Sequence, residues 1–475
     1  MTETSATDTT ATGTTAGTTQ GTLETRGIEP VPEAERTGHP RQLFWVWFAA
    51  NISILGLPLG ATLVAVNGLT VWQAVIVAAV GSVGSFAIVG AVSIAGRRGG
   101  APGLTLSRAV FGARGNIGPT AVSLISRLGW ETVNTTTAAF ALLSLFTIVF
   151  ATSPLATDHP VLTIVCIAVF ELLTVLVSGL GHAVLVAVQR WATWVFGALN
   201  LVVGGFLVAT IDWSAVAAAA PAPIGAMLAG VSVIAAGTGI GWANASADIS
   251  RYQAPAVRAG SLVMSAAAGA GIPLVLLISL GSMLAAGDPS LAEAGDPVAA
   301  IRAMLPPWMA VPYLLAAFGG LLLSNHLSVY SAGLTTLTLG IRIPRVYAVV
   351  VDVVITFVGA IYFMLVADSF YGPFIAFISL LAVPITAWVG VFVVDMLHRH
   401  TYDPVALMDT GRTSAYWYRG GIEPRAVSAW ALAIVVGYLF IGPLAGTWVG
   451  ENGLGWIATF VVAAGGYALL GGARR

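Results

Sequence analysis

Apolar runs of about twenty residues, each long enough to cross the hydrocarbon core of a bilayer, recur along almost the whole chain from Leu43 to Leu470. Twelve spans can be counted, at 44–66, 71–95, 117–150, 161–179, 184–210, 224–247, 260–286, 308–338, 346–366, 371–395, 428–446 and 455–472. They are continuously apolar rather than alternating at every second residue, which makes them helices and not barrel strands. With 9% charged residues, against roughly 25% in soluble domains, the chain reads as an all-α polytopic membrane protein.

All twenty basic residues are arginine, and their placement sets the topology. With the N-terminus inside, eighteen fall in or beside cytoplasmic segments, leaving Arg302 outside and Arg127 within a span. Both termini are therefore expected in the cytoplasm, in the plasma or inner membrane of the cell. Residues 1–42, rich in Thr and Gly with no basic stretch leading into an apolar one, read as a disordered cytoplasmic tail and not a signal peptide. The net charge of −1 points to no partner, and no nucleic acid is expected as one. Cys166 has no second cysteine to pair with.

Two spans carry helix breakers. The first contains Gly56-Leu57-Pro58-Leu59-Gly60, and the sixth contains Gly237-Thr238-Gly239-Ile240-Gly241. Such a pair in corresponding halves marks the substrate site of transporters built from inverted repeats. An odd number of spans per unit forces the second to be inverted, so 43–210 and 211–395 read as two five-helix repeats with discontinuous helices 1 and 6. Residues 396–427 then form a cytoplasmic linker to two peripheral helices in 428–475. Unwound backbone at mid-membrane is tolerated only where protein or a water-filled cavity meets it. That places both breaks, Gly241 included, at a shared cavity.

Polar residues gather near these breaks. In the third span Arg127, Trp130, Glu131 and Asn134 lie within two helical turns, and Trp130 and Asn134 share one side. In the sixth, Trp242 follows the glycines, with Asp248 and Arg251 nearer the cytoplasmic end. In the eighth, Ser324, Asn325 and His326 interrupt a run of leucines. Two indoles and a few amides in hydrocarbon suit a flat, uncharged, hydrogen-bonding molecule such as a nucleobase. Arg127 and Glu131, four residues apart, read either as an internal ion pair or as a site where Glu131 acts as a proton or gating carboxylate. Asp248 reads as a partner of Arg251 or as a gating group. No His-Glu-x-x-His helix or other converging catalytic set is present, so an enzyme is not expected, and no channel filter is evident.

At these residues the chain resembles the nucleobase:cation symporters, in their purine-cytosine permease branch. The resemblance rests on Leu106-Ser107-Arg108, Phe111-Gly112 and Gly115; Gly129-Trp130 with Asn134; Trp242 with Ala247-Asp248 and Ser250-Arg251-Tyr252; and Asn325 with Tyr330-Ser331. It covers about residues 40–400. It implies a leucine-transporter-like fold of ten core helices plus two, and a cargo of cytosine, a purine or a related heterocycle moved by alternating access. It places the base between Trp130 and Trp242, with Asn134, Asn325 and Ser53 as polar contacts.

The resemblance implies no organic cofactor, only a coupling cation, proton or sodium. Sodium-using members combine carbonyls of the broken first helix with adjacent hydroxyls on span eight; here that stretch reads Leu323-Ser324, so Ser324 alone could serve as a sodium ligand. Proton coupling through Glu131 or His326 is the competing expectation. An amino-acid or other small-solute symporter of the same fold is the alternative function. Oligomeric state is not legible.

Overall fold

The computed structural model describes residue 24 and residues 26–472, apart from 154, 293, 295, 369 and 370. Apart from two isolated β-bridges, regular structure among the described residues is helical. The first span is α1 (Pro40–Asn51) and α2 (Gly56–Ala65), and spans two to five are α3 (Val71–Gly99), α4 (Ile117–Phe150), α5 (Pro160–Leu180) and α6 (His182–Val208). The sixth contains α7 (Ile224–Ala235) and α8 (Ser246–Ser250). It is followed by α9 (Ala259–Gly287), α10 (Ala310–Thr338), α11 (Arg345–Leu365), α12 (Tyr371–His398), α13 (Pro424–Ile441) and α14 (Gly455–Leu469).

Among the described residues, ten helices are long and apolar enough to cross a membrane, and the α1–α2 pair makes an eleventh span. The twelfth expected span is α14, whose 15 residues fall short of the roughly 20 that span a bilayer untilted. Eleven of the twelve expected spans thus qualify among the described residues, and α14 is shorter than a full crossing.

Both breaks exist, and each has a local cause. Asn51 folds its amide back onto the Trp47 carbonyl at 2.8 Å, closing α1; residues 52–55 are unwound, and α2 leaves at 64° to α1. The break therefore lies just before the Gly-Leu-Pro-Leu-Gly segment rather than in it. Pro58 sits in the first turn of α2, where a missing N–H is no loss. In the sixth span the chain widens into a π turn at Ala236–Ile240 and tightens into a 3₁₀ turn at Ala243–Ala245 before α8. The glycines let this irregular backbone lie directly on α3: a Cβ at Gly239 would sit 2.5 Å from Ser85 Oγ.

The most extensive helix interfaces among the described residues are α3 with α9 and α4 with α10, spans two with seven and three with eight. Equivalent helices of the two five-span units thus pack on each other around the two breaks. Helices α13 and α14 pack on α12 and on each other at the periphery.

At the end of the bundle where the arginine-rich loops gather, residues 396–427 are folded onto residues 103–116. Arg108 donates to the Leu407 carbonyl at 2.9 Å, and Tyr418 to that of Ala109 at 2.6 Å. Of the 1–42 tail, residues 1–23 and 25 lie outside the described residues. The described part is packed, with Val31 buried and its N–H on the Gly100 carbonyl at 2.8 Å. Cys166 is buried and unpaired.

Candidate functional site

A cavity of about 50 Å³ lies between the two breaks, walled by Ser53 of the first, Trp242 of the second, Trp130 and Asn134 of α4, and Ser324 of α10. Candidate residues from four separated spans, the first, third, sixth and eighth, thus meet at one place. The cavity has room for only a few water molecules as it stands, so a heterocycle requires its walls to part. A wider space of about 560 Å³ between α1, α6 and α9 is walled by apolar side chains, with the outward-turned Trp194 and Leu201 at its mouth, and suits hydrocarbon rather than cargo.

The two indoles are held differently. Trp242 has the Arg127 guanidinium 4.4 Å from its ring centre and the Trp47 ring edge-on at 5.6 Å. Trp130 meets the Phe374 ring edge-on at 5.1 Å. Gly241 is next to Trp130, since a Cβ there would lie 3.1 Å from the indole nitrogen. Its carbonyl is taken by Arg127, so Gly241 supports the ring instead of offering its carbonyl to cargo.

Arg127 is therefore committed to the second break. No ion pair joins it to Glu131 among the described residues, although the two charges feel each other. Glu131 turns to α10, where Ser328 donates to Oε1 at 2.9 Å, and Oε2 is buried with no hydrogen-bond partner.

Asn134 lines the cavity, and its Nδ2 donates to Asn325 Oδ1 at 3.4 Å. Asn325 in turn donates to Thr174 Oγ1 at 3.3 Å and does not line the cavity. It stands behind Asn134 and fixes that amide. His326 is buried on another face of α10, away from the cavity. Ser53 accepts the Leu55 N–H at 3.4 Å inside the first break. Near Ser324, the Ile52 carbonyl comes so close to α10 that a Cβ at Gly320 would meet it at 2.5 Å.

Asp248 lies outside the cavity. It accepts from Ser331 at 2.6 Å and from the Gly103 N–H at 2.9 Å, tying α8 and α10 to the loop after α3. The expected partner, Arg251, pairs instead with Glu24 at 2.9 Å and also donates to Tyr330 at 2.9 Å and the Gly27 carbonyl at 2.7 Å. Tyr252 donates to the same Glu24 oxygen, and the His182 N–H reaches the other at 2.8 Å. Burial pushes Glu24 up, but Arg251, Tyr252, His182 and Arg345 outweigh it and hold the carboxyl below its ordinary value.

The polar and aromatic wall residues beyond those candidates are Asn51, Thr238 and Phe374. Asn51 and Thr238 carried a signal, being polar in apolar runs beside breakers. Phe374 carried none, because an aromatic ring in an apolar span reads as core or lipid contact.

Residues 30–468 match the model of a family described as permease for cytosine/purines, uracil, thiamine, allantoin. YxlA of Bacillus subtilis, whose own assignment as a purine-cytosine permease is an inference, is 26% identical over 93% of this chain and 94% of its own. The purine-cytosine permease FCY2 of Saccharomyces cerevisiae is 29% identical over 56% of this chain and 49% of its own. Among solved structures, the nucleobase-cation-symport-1 transporter Mhp1, closed around bromovinylhydantoin, superposes with TM-score 0.73 at 19% identity, covering 94% of this chain and 95% of that one. MhsT in complex with L-phenylalanine gives 0.59 at 12% identity, covering 90% and 99%. The fold is that of the leucine-transporter-like carriers.

Proposed function

The chain belongs to the family of permeases for cytosine/purines, uracil, thiamine and allantoin, and on that premise we propose that it imports a planar nucleobase by cation symport with alternating access. The observation that carries this reading is the meeting of Trp130, Trp242 and the Asn134 amide at one cavity between two unwound segments. The base stacks on the free face of Trp242, toward Trp130, and its ring edge bonds Asn134. The hydantoin held by Mhp1 is likewise a flat ring with amide edges.

Micromolar binding corresponds to about 8 kcal/mol. Two aromatic contacts of roughly 0.5 to 1.5 kcal/mol each and two hydrogen bonds of about 1 kcal/mol each leave the remainder to apolar burial when the walls close. The arginine-rich end faces the cytoplasm in this reading, and the Glu24 cluster closes that side.

The coupling ion is a proton. Leu323 brings no hydroxyl beside Ser324, while Glu131 keeps a buried oxygen without a partner. A sodium ion at Ser324 is the second reading, favoured by the close approach of the first break to α10 at Gly320.

Purified protein in liposomes tests both. Uptake of labelled cytosine, adenine, hypoxanthine and uracil is measured across a pH series, with and without sodium, against unlabelled bases, leucine and proline. Competition among bases and full activity without sodium are expected. Displacement by leucine or proline would favour an amino-acid carrier of the same fold, and an absolute need for sodium would return Ser324 to the site.

A further inference from the structure

Behind the cavity, α4, α5, α10 and α11 pack against one another, and three carboxylic side chains from three of these helices turn into the cluster: Glu131 of α4, Glu171 of α5 and Asp352 of α11. All three are 3% exposed or less. One oxygen of each is held by hydroxyls of neighbouring helices. Ser328 donates to Glu131, Thr135 and Thr356 both donate to Glu171 at 2.8 Å, and Thr336 donates to Asp352 at 3.3 Å. The second oxygen of each is buried with no hydrogen-bond partner. None of the three is in an ion pair among the described residues.

The charged and titratable groups acting on Glu131 are Arg127 on its own helix, Asp352 from α11 and Glu171 from α5. Arg127 is spent on the Gly241 carbonyl and the face of Trp242. The hydrogen-bond partners of Glu171 are the two threonine hydroxyls, and that of Asp352 is Thr336. Three negative charges side by side in the hydrocarbon layer, with one cation turned elsewhere, is an arrangement a membrane protein cannot sustain. A proton on an acid removes the charge and gives its orphaned oxygen a hydrogen to donate.

We propose that Glu131, Glu171 and Asp352 are a proton-holding site set behind the substrate cavity, loaded and emptied during the transport cycle. This rests on the proton-symport reading above and supplies the residues for it. The connection to cargo is short. Asn134, in the cavity wall, is joined through Asn325 to Thr174, which lies one turn from Glu171 on α5. Thr135, which donates to Glu171, follows Asn134 in the chain, and Ser328, which donates to Glu131, is one turn beyond Asn325. A base that pulls the Asn134 amide toward itself therefore disturbs the hydroxyls that hold the acids. The proton leaves as an ion to water when the site opens inward and is replaced from water when it opens outward, with no other reactant.

Infrared difference spectroscopy of the full-length protein in lipid is the test, because a protonated carboxyl gives a carbonyl band that shifts on deuteration and is seen whether or not cargo is known. The wild type is expected to show buried-acid bands at neutral pH. Glu131→Gln, Glu171→Gln and Asp352→Asn should each remove part of that intensity while the protein stays monodisperse. If an amide variant does not fold, Glu131→Asp and Glu171→Asp, which keep the acid, should shift the band instead. Bands absent at neutral pH, or unchanged in all variants, would overturn the site. In liposomes loaded with a pH-sensitive dye, labelled cytosine should acidify the lumen with wild type, and Glu171→Gln should move cytosine without acidification. Acidification at the wild-type ratio by that variant also overturns it. A protein that shows the bands yet moves no base defeats the nucleobase reading while leaving the proton site supported.

Discussion

The Arg127 guanidinium stands 4.4 Å from the centre of the Trp242 ring and donates to the carbonyl of the residue just before it, Gly241. A buried cation in the third span thus holds the aromatic platform of the sixth from one face, the other being where the proposed base stacks. A desolvated cation–π contact is worth about 2 kcal/mol, close to a factor of 30. Arg127→Met, which keeps volume but not charge, is expected to weaken base binding by about 10-fold or more. Isothermal titration with the best-bound base checks this, and unchanged affinity would mean that Trp242 needs no support.

Asn134 and Asn325 form a hierarchy, one in the cavity wall and one behind it. Asn134→Ala removes a direct hydrogen bond, expected to cost about 0.5 to 1.5 kcal/mol or roughly 2- to 10-fold in affinity. It should also change the ranking of bases that differ at the ring edge. Asn325→Ala loosens the first amide instead, so all bases should weaken by a similar factor. A competition panel run on both variants separates the patterns. A reordered ranking in Asn325→Ala would place that side chain in the cavity after all.

Glu24 fastens the segment before α1 to α6, α10 and the turn after α8. Its carboxyl is held below the ordinary value, so the contact contributes above that value and is lost only as pH falls through the lowered one. Neutral pH keeps it closed, and Glu24→Gln should open it without acid. Gln253, in the turn after α8, is buried against Gly38 of that segment; a hydrogen bond to a charged group is worth about 1.5 to 3 kcal/mol, so labelling of Gln253→Cys in a Cys166→Ser background should rise about 10-fold or more in Glu24→Gln. Equal labelling of parent and variant at neutral pH would show that the segment does not shield this face.

How much of this was legible from residues differs with the kind of information. The spans, the two breaks and the gathering of Trp130, Asn134, Trp242 and Ser324 followed from apolar length, helix breakers and polar residues out of place in hydrocarbon, whereas Ser53 came only from the family resemblance. Partner choice did not follow. Arg127 and Glu131 are four apart, a spacing that suits an ion pair, yet Arg127 turns to Gly241 and Glu131 to Ser328 because both find a nearer partner on another span. Arg251 behaves in the same way, passing over Asp248 for Glu24, more than two hundred positions away. Spacing on one helix says which groups can meet, while tertiary packing decides which do. Phe374 was invisible because an apolar wall and an apolar lipid contact use the same residues.

The glycines of the first and sixth spans are predicted to fail differently on substitution. A Cβ at Gly60 would lie 1.9 Å from the Ile278 carbonyl oxygen, and one at Gly281 2.0 Å from that of Leu57, so α2 and α9 approach backbone to backbone through reciprocal glycines. Backbone cannot step aside as a side chain does, and Gly60→Ala is expected to cost at least about 1 to 3 kcal/mol. Gly237 is in another situation, its nearest neighbour being the flexible end of Leu59 at 3.3 Å. Gly237→Ala gains about 1 kcal/mol of helix propensity and should fold at least as stably, but by favouring regular helix across the π turn it should slow transport. Thermal unfolding alongside uptake distinguishes the two. If Gly60→Ala melted with the parent while Gly237→Ala collapsed, the close contact would lie at the second break and not between α2 and α9.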